Sequence, residues 1–411
     1  MGKNAREAAL QLSLLSSDEK NKILTTMAKG IRLNTNTIIE ENKKDIEDAK
    51  KEGLSDAMID RLLLDANRIE DMARGIEKVS SLPDPCGEIL SDTKRPNGMQ
   101  IQKVRVPIGT IGIIYESRPN VTSDAAVLCL KSGNATILRG GKEAVHSNKI
   151  IAHILGQSGE LAGMPPNSIQ LIPFTDRESV KVMARMDKYL DLIIPRGGKG
   201  LVEAVVSTAR MPVIKHYDGV CHMYIDREAD IEMGIKLVMD AKTQKPSVCN
   251  ALETLVVHKD VAKLFLPLVA DQLTKKNVEL ICDGPSQQFL EEYDVTPATD
   301  EDWSTEYLDY KLSVLVRGSL PDSVDHINKY GSKHSDAIVT ESKERAELFL
   351  NSVDSACVYH NVSTRFSDGE EFGFGAEIGV STDKIHARGP MGLKELTSYK
   401  YRITGNGQTK A

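Results

Sequence analysis

Along the first eighty residues, apolar side chains recur at helical intervals among charges: Ala8, Leu12 and Leu15, then Ile23, Leu24, Met27 and Ile31, then Ile38 and Ile39. That period predicts a run of helices over residues 1–80. The pattern breaks at Pro83, Pro85 and Gly87, and two short polar segments follow around Lys94-Arg-Pro-Asn-Gly98. Pro-Asn-Gly at a strand reversal predicts a hairpin within residues 81–106. It has little apolar surface of its own, so it is expected to project and to pair with something else.

From Val106 the texture becomes α/β. Gly109–Tyr115 reads as a buried strand, Glu116–Asn120 as a polar turn and Ser123–Ser132 as a helix. Strands at Ala135–Leu138, Ser168–Leu171 and Leu190–Ile194 then alternate with helices from about Lys142 to Leu155, Ser179–Met186 and Leu201–Thr208. This alternation predicts a parallel, doubly wound sheet with ligands at the carboxyl ends of its strands. A second α/β unit begins after Cys249, with a strand at Glu253–Val257, a helix at Val261–Leu273 and a strand at Glu279–Cys282, and runs to about residue 380. The tail holds Gly373, Gly375, Gly379 and Gly389 and ends in a strand-like Leu396–Thr404.

A chain of 411 residues exceeds one ordinary core, so two or more domains are expected. A net charge of −7 without a face-sized basic block, and a single Trp, argue against nucleic-acid binding. No apolar run reaches membrane-spanning length and the N-terminus is polar, so neither a membrane segment nor a signal peptide is expected. The six cysteines lie far apart with no C-x-x-C pair, the pattern of reduced thiols and a cytoplasmic setting. The nine histidines show no zinc-ligand spacing, so no metal is expected.

Candidate chemistry starts at Cys249, which follows Lys245-Pro-Ser-Val and precedes a helix-competent Asn250-Ala-Leu-Glu253. A thiol at a helix N-terminus would face unpaired amides that favour the thiolate and could steady an oxyanion. By itself the cysteine reads first as a small core residue. Two glycine turns, Arg139-Gly140-Gly141 and Arg196-Gly197-Gly198-Lys199-Gly200, each follow a strand and precede a helix, with Lys142 beside the first. Free amides and cations at such turns suit phosphate. Neither is a G-x-G-x-x-G or G-x-x-x-x-G-K-[ST] motif, so plain tight turns stand as an equal reading.

The order of these features, over nearly the whole chain, resembles the aldehyde dehydrogenase superfamily, and within it most closely the γ-glutamyl phosphate reductase family. The residues that carry the resemblance are Val106-Pro-Ile-Gly-Thr-Ile-Gly-Ile-Ile-Tyr-Glu-Ser-Arg-Pro-Asn-Val121, Ile137-Leu-Arg-Gly-Gly-Lys-Glu-Ala144, Ile194-Pro-Arg-Gly-Gly198 with Lys199, Lys245-Pro-Ser-Val-Cys-Asn-Ala251 and Glu306-Tyr-Leu-Asp-Tyr310. The resemblance implies two doubly wound α/β domains: an NADP-binding domain over 1–90 and 107–245, and a catalytic domain over 246–380. It implies an oligomerisation arm built from 91–106 and 381–411, and hence a homo-oligomer. It also implies NADPH-dependent reduction of L-glutamyl 5-phosphate to L-glutamate 5-semialdehyde through a thioester on Cys249, in proline biosynthesis. The kinase that makes the substrate would then be a separate protein, a glutamate 5-kinase.

Within that resemblance Asn120 is an expected oxyanion donor. Arg139, Gly140, Lys142, Gly197, Gly198 and Glu306 are expected cofactor contacts, with Glu306 holding the nicotinamide ribose. Arg118 is the first expected substrate-anion contact, because a planar fork suits phosphate or carboxylate, and Arg388 the second. Two departures from oxidising aldehyde dehydrogenases carry meaning. His216, in Lys215-His-Tyr-Asp-Gly219, stands where those enzymes place the glutamate that activates water; alignment of Glu228-Ala-Asp230 downstream sets this register. Its absence suits a reductase that must keep water from the thioester. A direct acid–base role for His216 is an alternative to an ordinary structural histidine, with Asp218 a weaker candidate. Lys142 stands where NAD-preferring members carry a glutamate, and a cation there favours the 2′-phosphate of NADP(H). The rival readings are a related acyl-phosphate, acyl-thioester or semialdehyde enzyme, and a silent scaffold.

Overall fold

The computed structural model describes residues 1–410. These form two compact units, the first comprising 1–215, 373–379 and 391–410, the second 216–372 and 380–390. Each is described by itself.

The first unit opens with five helices, α1 (Gly2–Leu12), α2 (Ser17–Leu33), α3 (Thr35–Lys51), α4 (Asp56–Leu62) and α5 (Ala66–Ser81). The apolar periodicity of the first eighty residues lies on their inner faces, with Ile23, Leu24, Met27, Ile31 and Ile38 buried. Boundaries follow capping chemistry: Ser16 and Glu19 form a reciprocal capping box ahead of α2, and the Asp65 carboxylate accepts from the Arg68 amide ahead of α5. The hairpin consists of β1 (Ile89–Lys94) and β2 (Gln100–Pro107), reversed at Gly98 with φ +90°. It does pair with something else: the last strand of the chain, Thr397–Thr404, lies antiparallel to β2, giving a three-stranded sheet.

The remaining strands of this unit, β3 (Thr110–Tyr115), β4 (Ala135–Arg139), β5 (Ile169–Leu171) and β6 (Leu192–Arg196), make a parallel sheet in the order β5-β4-β3-β6. All six residues of β3 are buried, the near-continuous apolar run of a strand covered on both faces. Helices α6 (Asn120–Lys131), α7 (Val145–Leu161), α8 (Arg177–Ala184) and α9 (Lys199–Thr208) link the strands. Chain order reverses at β3, with β4 on one side and β6 on the other, so the turns after β3 and β6 meet at a topological switch point, where such sheets open a crevice.

The second unit holds β7 (Cys221–Ile225), β8 (Leu252–His258), β9 (Glu279–Cys282), β10 (Val295–Pro297), β11 (Lys311–Arg317), β12 (Ser335–Val339) and β13 (Cys357–His360). They form a parallel seven-stranded sheet in the order β10-β9-β11-β8-β7-β12-β13. The helices α10 (Ile231–Thr243), α11 (Lys259–Thr274), α12 (Gly284–Gln287), α13 (Leu320–Tyr330) and α14 (Lys343–Ser352) lie among them, and a small bridge joins β14 (Val380–Ser381) to β15 (Gly389–Pro390). Its largest core cluster packs Phe265, Leu266, Val269 and Leu273 of α11 against Leu255, Val257, Leu280 and Val314. The strand Thr397–Thr404 of the first unit is β16.

The expected domain limits need two corrections. Residues 216–245 belong to the second unit, because β7 pairs in parallel with both β8 and β12 in the middle of its sheet. The tail is divided as well: 380–390 falls in the second unit, whereas 373–379 and 391–410 fall in the first together with the hairpin. No described helix is long and apolar enough to cross a membrane.

Candidate active site

In the first unit, the residues expected to meet a nucleotide gather at the carboxyl ends of β3, β4 and β6. Gly140 and Gly141 follow β4, and a Cβ on Gly140 would fall 2.1 Å from the Asn148 amide nitrogen. Gly197 and Gly198 follow β6, with Gly198 as the N-cap of α9. The Gly198 amide donates to Glu116 Oε2 at 2.9 Å, and a Cβ on Gly197 would fall 2.3 Å from the same oxygen. A carboxylate therefore already rests on the free amide of this turn, as expected for an anion at a helix N-terminus. Lys142 is exposed and pairs with Glu52 at 2.7 Å, a contact that raises its pKa. Arg139 does something else: its Nη2 donates to the carbonyls of Thr175 and Asp176, and its Nε to Ser179 Oγ, tying β4 to the start of α8.

The polar turn at 116–120 leads into α6. Ser117 holds a left-handed backbone with φ +38°, which turns the chain sharply out of β3. Arg118 and Asn120 are exposed there. Asn120 Nδ2 donates to Asp124 Oδ2 at 2.9 Å, one helical turn on. Burial pushes the Asp124 carboxyl up to about 6, against the lowering effects of that hydrogen bond and of the Arg196 charge.

In the second unit, Cys249 is half-buried in a turn closed by an Ala251 N–H to Val248 O bond of 3.0 Å. Here the helix-competent reading of Asn250–Glu253 fails, while the strand expected over Glu253–Val257 is present. The residues after Cys249 enter β8, not a helix, and all seven positions of Leu252–His258 are buried. Local helix competence in Asn250-Ala-Leu-Glu253 yields to pairing with β7 and β11 on both sides. No helix N-terminus faces the thiol from its own segment, since α10 ends at Thr243 before it.

What holds the thiol loop instead is side-chain and backbone contact at the amino ends of the strands. Asn250 Nδ2 donates to the carbonyls of Arg365 and Ser367, and Thr364 Oγ1 donates to Asn250 O. The Cys221 thiol donates to Cys249 O at 3.2 Å. Gly219 presses so closely that a Cβ on it would lie 2.0 Å from Cys249 O and 2.6 Å from Cys249 Cα. Its amide donates to Glu306 Oε1 at 2.9 Å. Burial raises the Glu306 carboxyl, the Gly219 hydrogen bond lowers it and Asp218 raises it further. Leu308, two residues on, donates its amide to Glu253 Oε1, and Glu253 Oε2 meets Lys242 Nζ at 2.8 Å with both side chains fully buried. Burial pushes the Glu253 carboxyl up and the Lys242 charge down, each opposed by the other.

His216 Nδ1 lies 2.9 Å from Val380 O, which makes that nitrogen the proton-bearing one, and its ring meets His334 edge to face. Arg388 Nη2 donates to both the main chain and the carboxylate of Asp354, a carboxylate that also pairs with Lys333 and Lys384. Other thiols are pushed up by burial, Cys86 and Cys282 to about 11 and Cys129 to about 12. Among the described residues no group of His, Cys, Asp and Glu could hold a metal ion.

Sequence reasoning passed over Glu116, Asp124, Gly219, Cys221 and the Lys242–Glu253 pair as site residues. Glu116 and Gly219 lay inside motifs already singled out; Asp124, Cys221 and the ion pair carried no local signal.

The aldehyde dehydrogenase family model matches residues 1–311. A γ-glutamyl phosphate reductase of Clostridium novyi (strain NT) is 52% identical over 406 residues, covering 99% of this chain and 97% of that protein. The chain belongs to the γ-glutamyl phosphate reductases of the aldehyde dehydrogenase family. A second reductase of this family, from Geobacter metallireducens, is 50% identical over 99% of this chain and 97% of its own. The crystal structure of the Thermotoga maritima γ-glutamyl phosphate reductase superposes with a TM-score of 0.98 at 43% identity, covering 100% of this chain and 99% of that one. A propionaldehyde dehydrogenase of Rhodopseudomonas palustris, solved with bound CoA and an acylated cysteine, shares the fold at 14% identity with a TM-score of 0.70, over 98% and 96% of the two chains.

Proposed function

We propose that the protein reduces L-glutamyl 5-phosphate to L-glutamate 5-semialdehyde and phosphate with NADPH, through a thioester on Cys249, as a step of proline biosynthesis. The observation that carries this reading is the 52% identity to a γ-glutamyl phosphate reductase along 99% of the chain. Two features agree with it. The half-buried Cys249 sits on a loop pinned from both sides, and position 216 carries a histidine whose Nδ1 is tied to a carbonyl rather than a carboxylate able to activate water.

The residues of the first unit fit a dinucleotide. The Gly198 amide at the switch point already donates to the Glu116 carboxylate, which supports reading this turn as a seat for an anion such as a pyrophosphate. Gly140, Gly198 and Gly197 would let backbone approach the phosphates, and Lys142 would meet the 2′-phosphate; Glu306 lies in the second unit, and its contact with the nicotinamide ribose is what the resemblance implies. Arg139 supports β4 and keeps only an indirect part. When bound, NADPH supplies the hydride that takes the acyl carbon to the aldehyde level.

The chain's own steps are these. The Cys249 thiolate attacks the acyl carbon, and a backbone amide beside Cys249 steadies the oxyanion. The C–O bond to phosphate breaks and phosphate leaves with that electron pair, giving a γ-glutamyl thioester. After reduction the tetrahedral adduct collapses and the C–S bond returns its pair to Cys249. Arg118, exposed in the 116–120 turn, is the first contact for a substrate anion; Arg388 is second, because Asp354 already engages it.

The hairpin and β16 serve as the oligomerisation arm in this reading. Apart from Thr397 the whole of β16 is exposed, including Tyr399, Tyr401 and Ile403, as a strand face awaiting a second copy would be. Light scattering tests it, and a monomer would sink it. The unstable acyl phosphate would come from a glutamate 5-kinase.

The decisive assay runs the reaction backwards, with glutamate-5-semialdehyde, NADP⁺ and phosphate. Phosphate-dependent formation of NADPH is expected, and Cys249→Ser should abolish it. Turnover without phosphate would mean a hydrolytic dehydrogenase, and no turnover would favour the scaffold.

A further inference from the structure

Glu306 has a role by resemblance, at the nicotinamide ribose, but its carboxylate is already engaged, and the group it engages leads to the nucleophile. Oε1 accepts the Gly219 amide at 2.9 Å. Gly219 in turn touches the Cys249 peptide closely enough that no Cβ fits between them, the clash being with backbone C, O and Cα rather than a side chain that could swing away. We propose that Glu306 is a positioning residue for the Cys249 thiol, acting through Gly219 before any cofactor is bound. This rests on the reading of Cys249 as the nucleophile.

Three observations support it. The Gly219 φ lies outside the left-handed region, so glycine is needed here for the approach and not for the backbone angle. Gly219 is buried, so its amide has no water to fall back on and depends on the carboxylate. Glu306 is itself anchored: Leu308 holds a left-handed φ of +54° and gives its amide to Glu253, which is locked to Lys242 on α10. The sequence Lys242–Glu253–Leu308–Glu306–Gly219–Cys249 is thus one continuous set of contacts within a single unit. On the far side, the Cys221 thiol and Asn250 hold the same loop, so a loosened Gly219 would let the Cys249 peptide pivot rather than float.

The test must separate placing the thiol from binding cofactor and from changing charge. The readout is alkylation of Cys249 by iodoacetamide without NADPH, followed by mass spectrometry of its peptide, since other thiols titrate as well. Rates are taken on the high-pH plateau, where Cys249 is fully thiolate and a pKa change no longer alters the rate. Glu306→Ala and Glu306→Gln both remove the charge, but only glutamine keeps an acceptor for the Gly219 amide. Positioning predicts that the alanine plateau falls about tenfold while the glutamine plateau stays within about twofold of the wild type. Equal plateaus in all three proteins, or equal falls in both variants, would overturn the proposal and leave Glu306 to the cofactor alone. Melting curves establish that each variant is folded. If the alanine variant is not, Glu306→Asp keeps the charge and withdraws the acceptor by one methylene: a lowered plateau supports the proposal, a wild-type plateau overturns it. Alkylation needs no turnover, so a failed reverse assay would remove the reductase reading without deciding this result.

Discussion

Gly219, at the scale of the single residue, has no spare volume. A methyl group there would meet Cys249 O at 2.0 Å, and only a shift of the Cys249 peptide could relieve it. Misplacement by about an ångström in a catalytic group costs on the order of a hundredfold in rate. Gly219→Ala should therefore lose about that much turnover while its melting curve stays cooperative; steady-state kinetics beside a thermal melt checks both halves. Lys142 is the proposed seat of the cofactor preference. Its ammonium is exposed and rests on Glu52, a partner that a 2′-phosphate can displace at small cost because surface pairs are weak. Lys142→Glu would set a carboxylate against that phosphate, and the ratio of kcat/KM for NADPH over NADH should fall by about a hundredfold or more. An unchanged ratio would place the discrimination elsewhere. At this scale the sequence offered candidate residues and was silent about what holds them. Cys249, Lys142, Asn120 and Glu306 could be named from motifs, but the contacts of Gly219 and Cys221 with the thiol loop join positions about thirty residues apart.

Among the elements, β8 decides how the thiol is presented. Its residues pair on both sides and are wholly buried, so the sheet overrides the helix competence of the four residues after Cys249. Glu253, a charged residue at the second position of that strand, is tolerated because Lys242 of α10 meets it in the same dry space. Breaking one partner of such a pair leaves an uncompensated buried charge, a loss of roughly 3–5 kcal/mol. Lys242→Ala is expected to lower the unfolding free energy by that order in urea titration, with the loss shrinking at acid pH as Glu253 takes up a proton. The strands of the first sheet and the hairpin were legible, because apolar runs bounded by glycine and proline are local signals. β7 and α10 were not, since Cys221-His-Met-Tyr-Ile225 is short and carries a histidine whose burial beside Asp336 only the assembled sheet explains.

For the whole molecule, charge placement within the second unit makes an acid-dependence testable. Hydrogen bonding to Lys384 chiefly holds the Asp354 carboxyl at about 2, with Arg388 and Lys333 assisting and burial opposing. A carboxyl depressed from its usual 3.8 to about 2 stabilises the fold above 3.8, and that stabilisation is lost as pH falls through 2. Because the cluster is partly exposed, solvent screens it and the effect is modest. Asp354→Asn should lower the melting temperature near neutrality and flatten its decline between about pH 4 and pH 2; parallel curves for the two proteins would remove the argument.

By itself the sequence determined that the chain is α/β with a helical opening, a hairpin and two glycine turns, because periodicity, turn chemistry and glycine placement act over a few residues. It also determined the family, because five motifs in fixed order are a property of the chain. Only the tertiary structure decided where the units divide, that no helix begins at Cys249, that Arg139 holds main-chain carbonyls, and that Glu306 holds the Gly219 amide against the Cys249 peptide. Those outcomes depend on which distant segments share a sheet and which polar groups meet out of reach of water. Burial and pairing of that kind are set by the packed molecule, and no local pattern carries them.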